Sequence, residues 1–179
     1  MISRTEKMKN LWVLCFGDPY EVAEEFFSLR GVETLTEERD GEVVGMASIV
    51  PVSDSLGGRG YYVYGVCVSP EYRGEGIFRR LMSRCEERAR EEGFDYLCLI
   101  PVSEDIAAAY EKMGYIVSVA LCTNADGYAV GIVSKSADFA DFSVSDGEFS
   151  GARCGLLKPI REGFDTNIGF FFPNRMGEC

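Results

Sequence analysis

Residues Tyr61–Met82 read YYVYGVCVSPEYRGEGIFRRLM, and this stretch decides the fold. Tyr61–Val68 alternates aromatic and β-branched residues, which suit a pleated, half-buried surface. Ser69-Pro70 stops the run, because proline cannot donate to a ladder. After Arg73-Gly74-Glu75-Gly76, apolar residues recur at Ile77, Phe78, Leu81, Met82, Cys85 and Ala89, while Arg79, Arg80, Ser83, Glu86, Glu87 and Arg90 take the other face. The spacing predicts a strand, a tight glycine turn and an amphipathic helix that ends at Gly93. Two glycines at the helix mouth let a ligand approach the backbone closely, and the first N–H groups of a helix have no partner within it. The turn therefore reads as a seat for a phosphate or similar anion. Gly76 is not followed by the Lys and Ser or Thr of a P-loop, and Gly74-Glu75-Gly76-Ile77-Phe78-Arg79 lacks the third glycine of a dinucleotide fingerprint.

What remains is Arg-x-x-Gly-x-(small), here Arg73-Gly74-Glu75-Gly76-Ile77-Phe78. Further on comes Ala109-Tyr110-Glu111-Lys112-Met113-Gly114-Tyr115, a Tyr-x-x-x-Gly-aromatic segment, with an apolar run at Tyr96–Ile100 between the two. In this order and spacing the motifs resemble those of the GNAT superfamily of acyl-CoA-dependent N-acyltransferases. The resemblance covers Leu11–Leu121, and the opening, with Leu11-Trp12, Cys15-Phe16-Gly17-Asp18 and Phe26-Phe27, is similar to an uncharacterised bacterial subset. It implies an α/β fold: a mixed, mostly antiparallel central sheet flanked by helices, here with a β-rich C-terminal extension. Most relatives place a strand before the first helix; this chain has hardly room for one, so the sheet edge is expected to be trimmed or differently completed.

The resemblance also implies a chemistry. Acetyl-CoA would be the cosubstrate, its pantetheine along Val66, Cys67 and Val68 and its pyrophosphate on Arg73, Gly74, Glu75, Gly76, Ile77 and Phe78. Phe78 fills a position usually small, and Ser103 stands where many relatives carry an Asn that contacts the cofactor. Tyr110 matches the tyrosine that protonates the leaving sulfur. The expected activity is transfer of an acetyl group to a primary amine by direct attack on the thioester. The alternative is a non-catalytic acyl-CoA-binding or partner-binding protein of the same fold. For the general base, Glu24, Glu104, a water relay and an amine that arrives neutral all stay open.

Composition narrows the classes. At 179 residues, with 46% hydrophobic and 26% charged residues, the chain suits one soluble globular domain. No apolar run approaches the roughly 18 residues of a membrane span, and the first residues lack the apolar segment of a signal peptide. The expected location is the cytoplasm, with no membrane partner. A net charge of −11 argues against nucleic-acid binding, which rests on neutralising phosphates. To hold an anionic cofactor, Arg73, Arg79, Arg80 and Arg84 must override that field locally, or else they form a solvated face balanced by Glu86, Glu87, Glu91 and Glu92. Seven cysteines without a CxxC pair read as reduced core thiols, and no metal site is expected. Cys67, with no cationic neighbour visible in the sequence, reads as an inert core thiol. The chain has no histidine, which removes the Ser-His and Cys-His nucleophilic pairs.

The remaining elements follow from local signals. A helix up to Leu14 is broken at Phe16-Gly17. Asp18-Pro19-Tyr20-Glu21 looks like a capping box for a second helix ended by Gly31. Val32–Glu38 and Glu42–Val50 flank Asp40-Gly41 as a hairpin, and Ser53–Gly60 is a glycine-rich loop. Ser103 caps a helix over Glu104–Met113, followed by a strand over Tyr115–Leu121. We expect residues 1–121 to form the acyltransferase domain and 122–179 a β-rich extension packed on it. That extension carries turn signals at Asp126-Gly127 and Asp146-Gly147, and apolar runs at Tyr128–Val133, Leu156-Leu157 and Ile168–Phe172. Phe170-Phe171-Phe172 reads as core, or as the contact of a homodimer. The acceptor is a small-molecule or peptide amine, and the acidic balance suits either a cationic amine or solubility alone.

Overall fold

The computed structural model describes residues 2–54, 56–123 and 149–173. The signals at Asp126-Gly127, Asp146-Gly147 and Tyr128–Val133 lie outside these residues. The elements run α1 (Arg4–Phe16), α2 (Tyr20–Ser28), β1 (Glu33–Arg39), β2 (Glu42–Ser53), β3 (Arg59–Val68), a 3₁₀ turn at Pro70–Tyr72, α3 (Ile77–Glu91), β4 (Tyr96–Leu99), α4 (Glu104–Glu111), β5 (Ile116–Thr123), β6 (Phe149–Pro159) and β7 (Gly169–Pro173). The seven strands form one mixed sheet in the order β1-β2-β3-β4-β6-β5-β7. β1 pairs antiparallel with β2, β3 parallel with β4, β6 antiparallel with both β4 and β5, and β5 parallel with β7. Among the described residues no strand precedes α1, so β1 is one edge of the sheet and β7, from the C-terminal stretch, is the other. No described helix is long and apolar enough to cross a membrane.

The chain divides into two compact units. The first comprises Met1–Val50 and Val63–Arg88. Its hairpin turns at Asp40 and Gly41, both at positive φ (51° and 80°), as a two-residue turn between twisted strands requires. Ser3 caps α1 by accepting from the N–H of Glu6 at 3.2 Å, and Gly17, at φ 74°, ends it. The predicted capping box is not formed. Asp18 Oδ2 instead accepts from the indole Nε1–H of Trp12 at 2.7 Å, Pro19 takes the cap position without a side-chain hydrogen bond, and α2 stops at Ser28, ahead of Gly31. The reason is competition: a buried indole N–H needs an acceptor more than a solvent-facing helix end does. Trp12 lies with its ring centroid 4.8 Å from that of Phe26 and 5.9 Å from that of Tyr64. Helix α3 buries Ile77, Leu81, Met82 and Cys85, as its periodicity predicts. It sits so close to β2 that a Cβ on Gly45 would come within 2.6 Å of Ile77 Cγ2.

The second unit comprises Pro51–Tyr62 and Ala89–Cys179. Here α3 ends in a Schellman motif: Gly93 is at φ 68° and the N–H of Phe94 donates to the carbonyl of Ala89 at 2.9 Å. All four residues of β4 are buried, as a continuously apolar strand demands. Strand β6 inserts between β4 and β5 and buries Leu156 and Leu157. Phe170 and Phe172 are core, 0% and 1% exposed, and the ring of Phe170 fills the space a side chain at Gly155 would need, 2.5 Å from the position of its Cβ.

Candidate functional site

Strand β3 supplies the first part of the site. Gly65 lies at φ 60° inside the strand, a left-handed conformation that favours glycine. An added Cβ there would come within 2.7 Å of the Trp12 ring. The ladder of β3 with β4 spans Gly60–Tyr62, so Val66, Cys67 and Val68 lie outside it. Val66 and Val68 are half-buried and Cys67 is buried.

The turn after β3 supplies the second. Tyr72 N–H closes the 3₁₀ turn onto the Ser69 carbonyl at 2.9 Å. Gly74 and Gly76 then take φ of 85° and 76°, and α3 begins with Arg80 N–H donating to the Gly76 carbonyl at 3.1 Å. A side chain at Gly74 would meet nothing within 4 Å, and one at Gly76 only the Arg80 guanidinium at 3.5 Å. Glycine is thus demanded at 74 and 76 by backbone conformation, and the space above the turn is open. The first N–H groups of a helix have no acceptor within it, which suits a helix start to an anion. Ile77 is buried beneath the turn and Phe78 is half-buried.

The arginines are tethered. Arg80 donates to Glu37 Oε1 through Nε and Nη2 at 3.1 and 2.9 Å and to the Glu75 carbonyl through Nη1 at 2.9 Å. Arg84 donates to the Thr36 carbonyl at 2.8 Å and Arg88 pairs with Glu33 at 3.0 Å. Three successive turns of α3 are therefore tied to β1, where the sequence suggested either a cofactor field or a face balanced by the helix's own glutamates. The long-range register that brings β1 alongside α3 leaves no mark at the arginines themselves.

Arg73 turns back to donate from Nε to the Val68 carbonyl at 3.2 Å, and the same oxygen accepts from Cys15 Sγ of α1 at 3.6 Å. Its interaction with Cys67, and then the charge of Arg73, draw Cys15 down to about 7 against the effect of burial. Cys67 is pushed far up, first by its interaction with Cys15 and then by burial. This corrects the expectation that Cys67 has no cationic neighbour: the Ser69-Pro70 stop folds Arg73 back onto the strand. Cys85, by contrast, is pushed up to about 12 by burial.

The second unit carries the other predicted residues. Ser103 caps α4, its Oγ accepting from the N–H of Ile106 at 3.4 Å. Tyr110, on the last turn of α4, is 5% exposed, its ring set edge-on to Tyr115 at 5.3 Å. Of the carboxylates considered as base, Glu104 is exposed in the first turn of α4, and Glu24, on α2 of the first unit, accepts from Lys9 Nζ at 3.2 Å. Among the described residues no group of three or more His, Cys, Asp or Glu side chains could hold a metal ion.

A strand, a double-glycine turn and a helix start of this form, followed by the tyrosine segment on α4, match the Acetyltransferase (GNAT) family over residues 5–115, and the chain belongs to that family. It is similar to N-acetyltransferase 8 of Mus musculus, 28% identical over 101 residues that cover 55% of this chain and 44% of the mouse protein. The chain thus spans under half the length of the curated relatives it matches. Among solved structures, ribosomal-protein-alanine N-acetyltransferase from Brucella melitensis biovar Abortus 2308 is 26% identical, with a TM-score of 0.54 over 61% of this chain and 83% of that one. The GNAT family N-acetyltransferase YhbS from Escherichia coli, solved in complex with CoA, shares the fold over 95% of this chain and 86% of its own, with a TM-score of 0.62 at 14% identity.

Proposed function

We propose that this chain transfers an acetyl group from acetyl-CoA to a primary amine, which attacks the thioester carbonyl directly as the CoA thiolate leaves. The observation that carries the reading is the pair of positive-φ glycines opening α3, which face open space at a helix start, where an anion can approach the backbone closely. The pyrophosphate would rest on Arg73–Phe78 and the pantetheine along Val66, Cys67 and Val68, outside the β4 ladder. A relative of the same fold was solved with CoA, which supports this choice of ligand. A strand N–H would polarise the thioester carbonyl and stabilise the oxyanion that develops on it. Ser103 Oγ accepts from Ile106 and still has its own proton to donate to the cofactor.

Tyr110 is the residue we assign to protonate the departing sulfur. A thiol of pKa about 8.5 is a tolerable leaving group near neutrality, so this proton assists the step without controlling it. We place the protein in the cytoplasm, with residues 1–121 as the acyltransferase core, acting on a small-molecule or peptide amine; the charge of −11 favours a cationic acceptor.

Calorimetric titration with acetyl-CoA tests the site, with free CoA, NAD and ATP as comparators at one salt concentration. Saturable binding of acetyl-CoA and CoA is expected, weakened about tenfold or more by Gly74→Val with Gly76→Val; absence of binding overturns the assignment. In Tyr110→Phe, turnover should fall by about 100-fold while acetyl-CoA affinity is retained. Binding without turnover against a broad panel of amines would replace the enzyme with a non-catalytic acyl-CoA-binding protein.

A further inference from the structure

We propose that the corner between α1 and α2 holds a second ammonium group of the acceptor, so that the preferred substrate is a diamine or polyamine with an alkyl spacer. The inference rests on the acyl-transfer reading and deepens it. The end of α1 is fastened beside the stretch of β3 assigned to pantetheine: Cys15 Sγ donates to the Val68 carbonyl at 3.6 Å, and a Cβ on Gly65 would come within 2.7 Å of Trp12 Cζ3. An amine that attacks a thioester lying on Val66–Val68 therefore has this corner as a neighbour. Trp12 is 3% exposed, and two more accessible groups are mounted on it. Its indole N–H donates to Asp18 Oδ2 at 2.7 Å, and its ring centroid lies 4.9 Å from that of Phe16. Phe16 is 44% exposed and Asp18 is half-buried, so both reach solvent from the same support.

An aromatic face beside a carboxylate is a pairing that recognises an ammonium ion. Asp18 uses one lone pair on the indole, and a carboxylate can accept several hydrogen bonds. The cap position of α2 belongs to Pro19, so the Asp18 carboxylate is not engaged there. From Asp18 to Leu29 the chain carries Glu21, Glu24 and Glu25 and no lysine or arginine. The field at the corner is therefore negative, even with Lys9 offsetting Glu24 at 3.2 Å. The indole also sets the span: Cζ3 on one ring faces Gly65, and Nε1 on the other holds Asp18. A short alkyl chain bridges that width while lying across the exposed ring of Phe16. A monoamine of the same length would leave Asp18 with water alone.

The test compares cadaverine with pentylamine, which differ only in the second ammonium. Each is titrated calorimetrically into the intact protein, with and without CoA, and each is assayed for acetyl-CoA-dependent release of CoA. The wild type should bind cadaverine about tenfold more tightly than pentylamine and show a like ratio in kcat/KM. Asp18→Asn keeps an oxygen for the Trp12 indole but removes the charge, and the ratio should fall toward unity. Phe16→Leu keeps an apolar side chain without a π face and should lower the ratio by less. Glu21→Gln removes the same charge from the first turn of α2 and should keep the ratio near that of the parent. Equal binding of the two amines by the wild type, or a ratio that survives Asp18→Asn, overturns the proposal. An equal collapse in Glu21→Gln does so too, because it assigns the preference to the general acidic field. Acetyl transfer at equal kcat/KM to both amines overturns the ammonium site and leaves acetyl transfer standing. Cadaverine that binds through Asp18 with no CoA released overturns acetyl transfer and upholds the site.

Discussion

Two sets of glycines in this chain answer to different demands. Gly45, in β2, lies where packing leaves no room: a Cβ there would press to 2.6 Å from Ile77 Cγ2 and 3.2 Å from Leu81 Cδ1. Gly74 and Gly76, just ahead of Ile77 in the chain, have open space around them and are glycine only because their φ angles are positive. Gly65 meets both conditions, with φ 60° and the Trp12 ring 2.7 Å from its would-be side chain. The comparison separates a glycine that lets elements close on one another from a glycine that keeps a surface open, and only the second kind points to a ligand.

Substitution should rank the three accordingly. Gly65→Ala combines left-handed strain of about 1–2 kcal/mol with overpacking of about 1–3 kcal/mol against a buried indole. The melting temperature should fall by roughly 5–15 °C, taking 2–4 °C per kcal/mol for a chain of this size. Gly45→Ala carries the overpacking alone, about 1–3 kcal/mol, and should fall between the other two in a thermal melt. Gly74→Ala and Gly76→Ala should each cost about 1–2 kcal/mol of strain with no packing defect. Their distinguishing effect is a weakened acetyl-CoA titration, which Gly45→Ala should not reproduce. If Gly45→Ala lowers affinity as much as Gly76→Ala, the open turn is not what holds the ligand.

The same division explains what could be read from the sequence. Strand, turn and α3 were legible because a period of two, a Ser-Pro stop and a 3.6-residue period follow one another within a single stretch, and Asp40-Gly41 fixes a hairpin from two residues alone. Phe170 and Phe172 were legible as core because a run of aromatics has few other uses. What local pattern could not carry was competition and distance. Asp18 has every mark of a helix cap, yet the Trp12 indole takes its carboxylate. Leu156-Leu157 announces a strand, but nothing in it says that β6 enters between β4 and β5. The arginines of α3 find Glu33, Thr36 and Glu37 only because β1 lies alongside. Cys15 likewise reaches the Val68 carbonyl only when α1 is folded onto β3, so that contact was invisible in the sequence.

Ser103 gives the smallest and sharpest version of the contrast, because one hydroxyl is asked to serve both stability and the ligand. Its oxygen accepts from Ile106 N–H as the cap of α4, and losing such a cap costs typically about 1 kcal/mol. Ser103→Ala should therefore lower the melting temperature by about 2–4 °C. If the hydroxyl proton also reaches the cofactor, acetyl-CoA affinity should drop by up to about tenfold, the worth of one neutral hydrogen bond. Ser103→Asn keeps a capping oxygen and adds amide donors, so it should hold the melting temperature near that of the parent while retaining affinity. A melting loss in the alanine variant with unchanged affinity would make Ser103 a cap alone and confine the cofactor contacts of the proposal to β3 and the glycine turn.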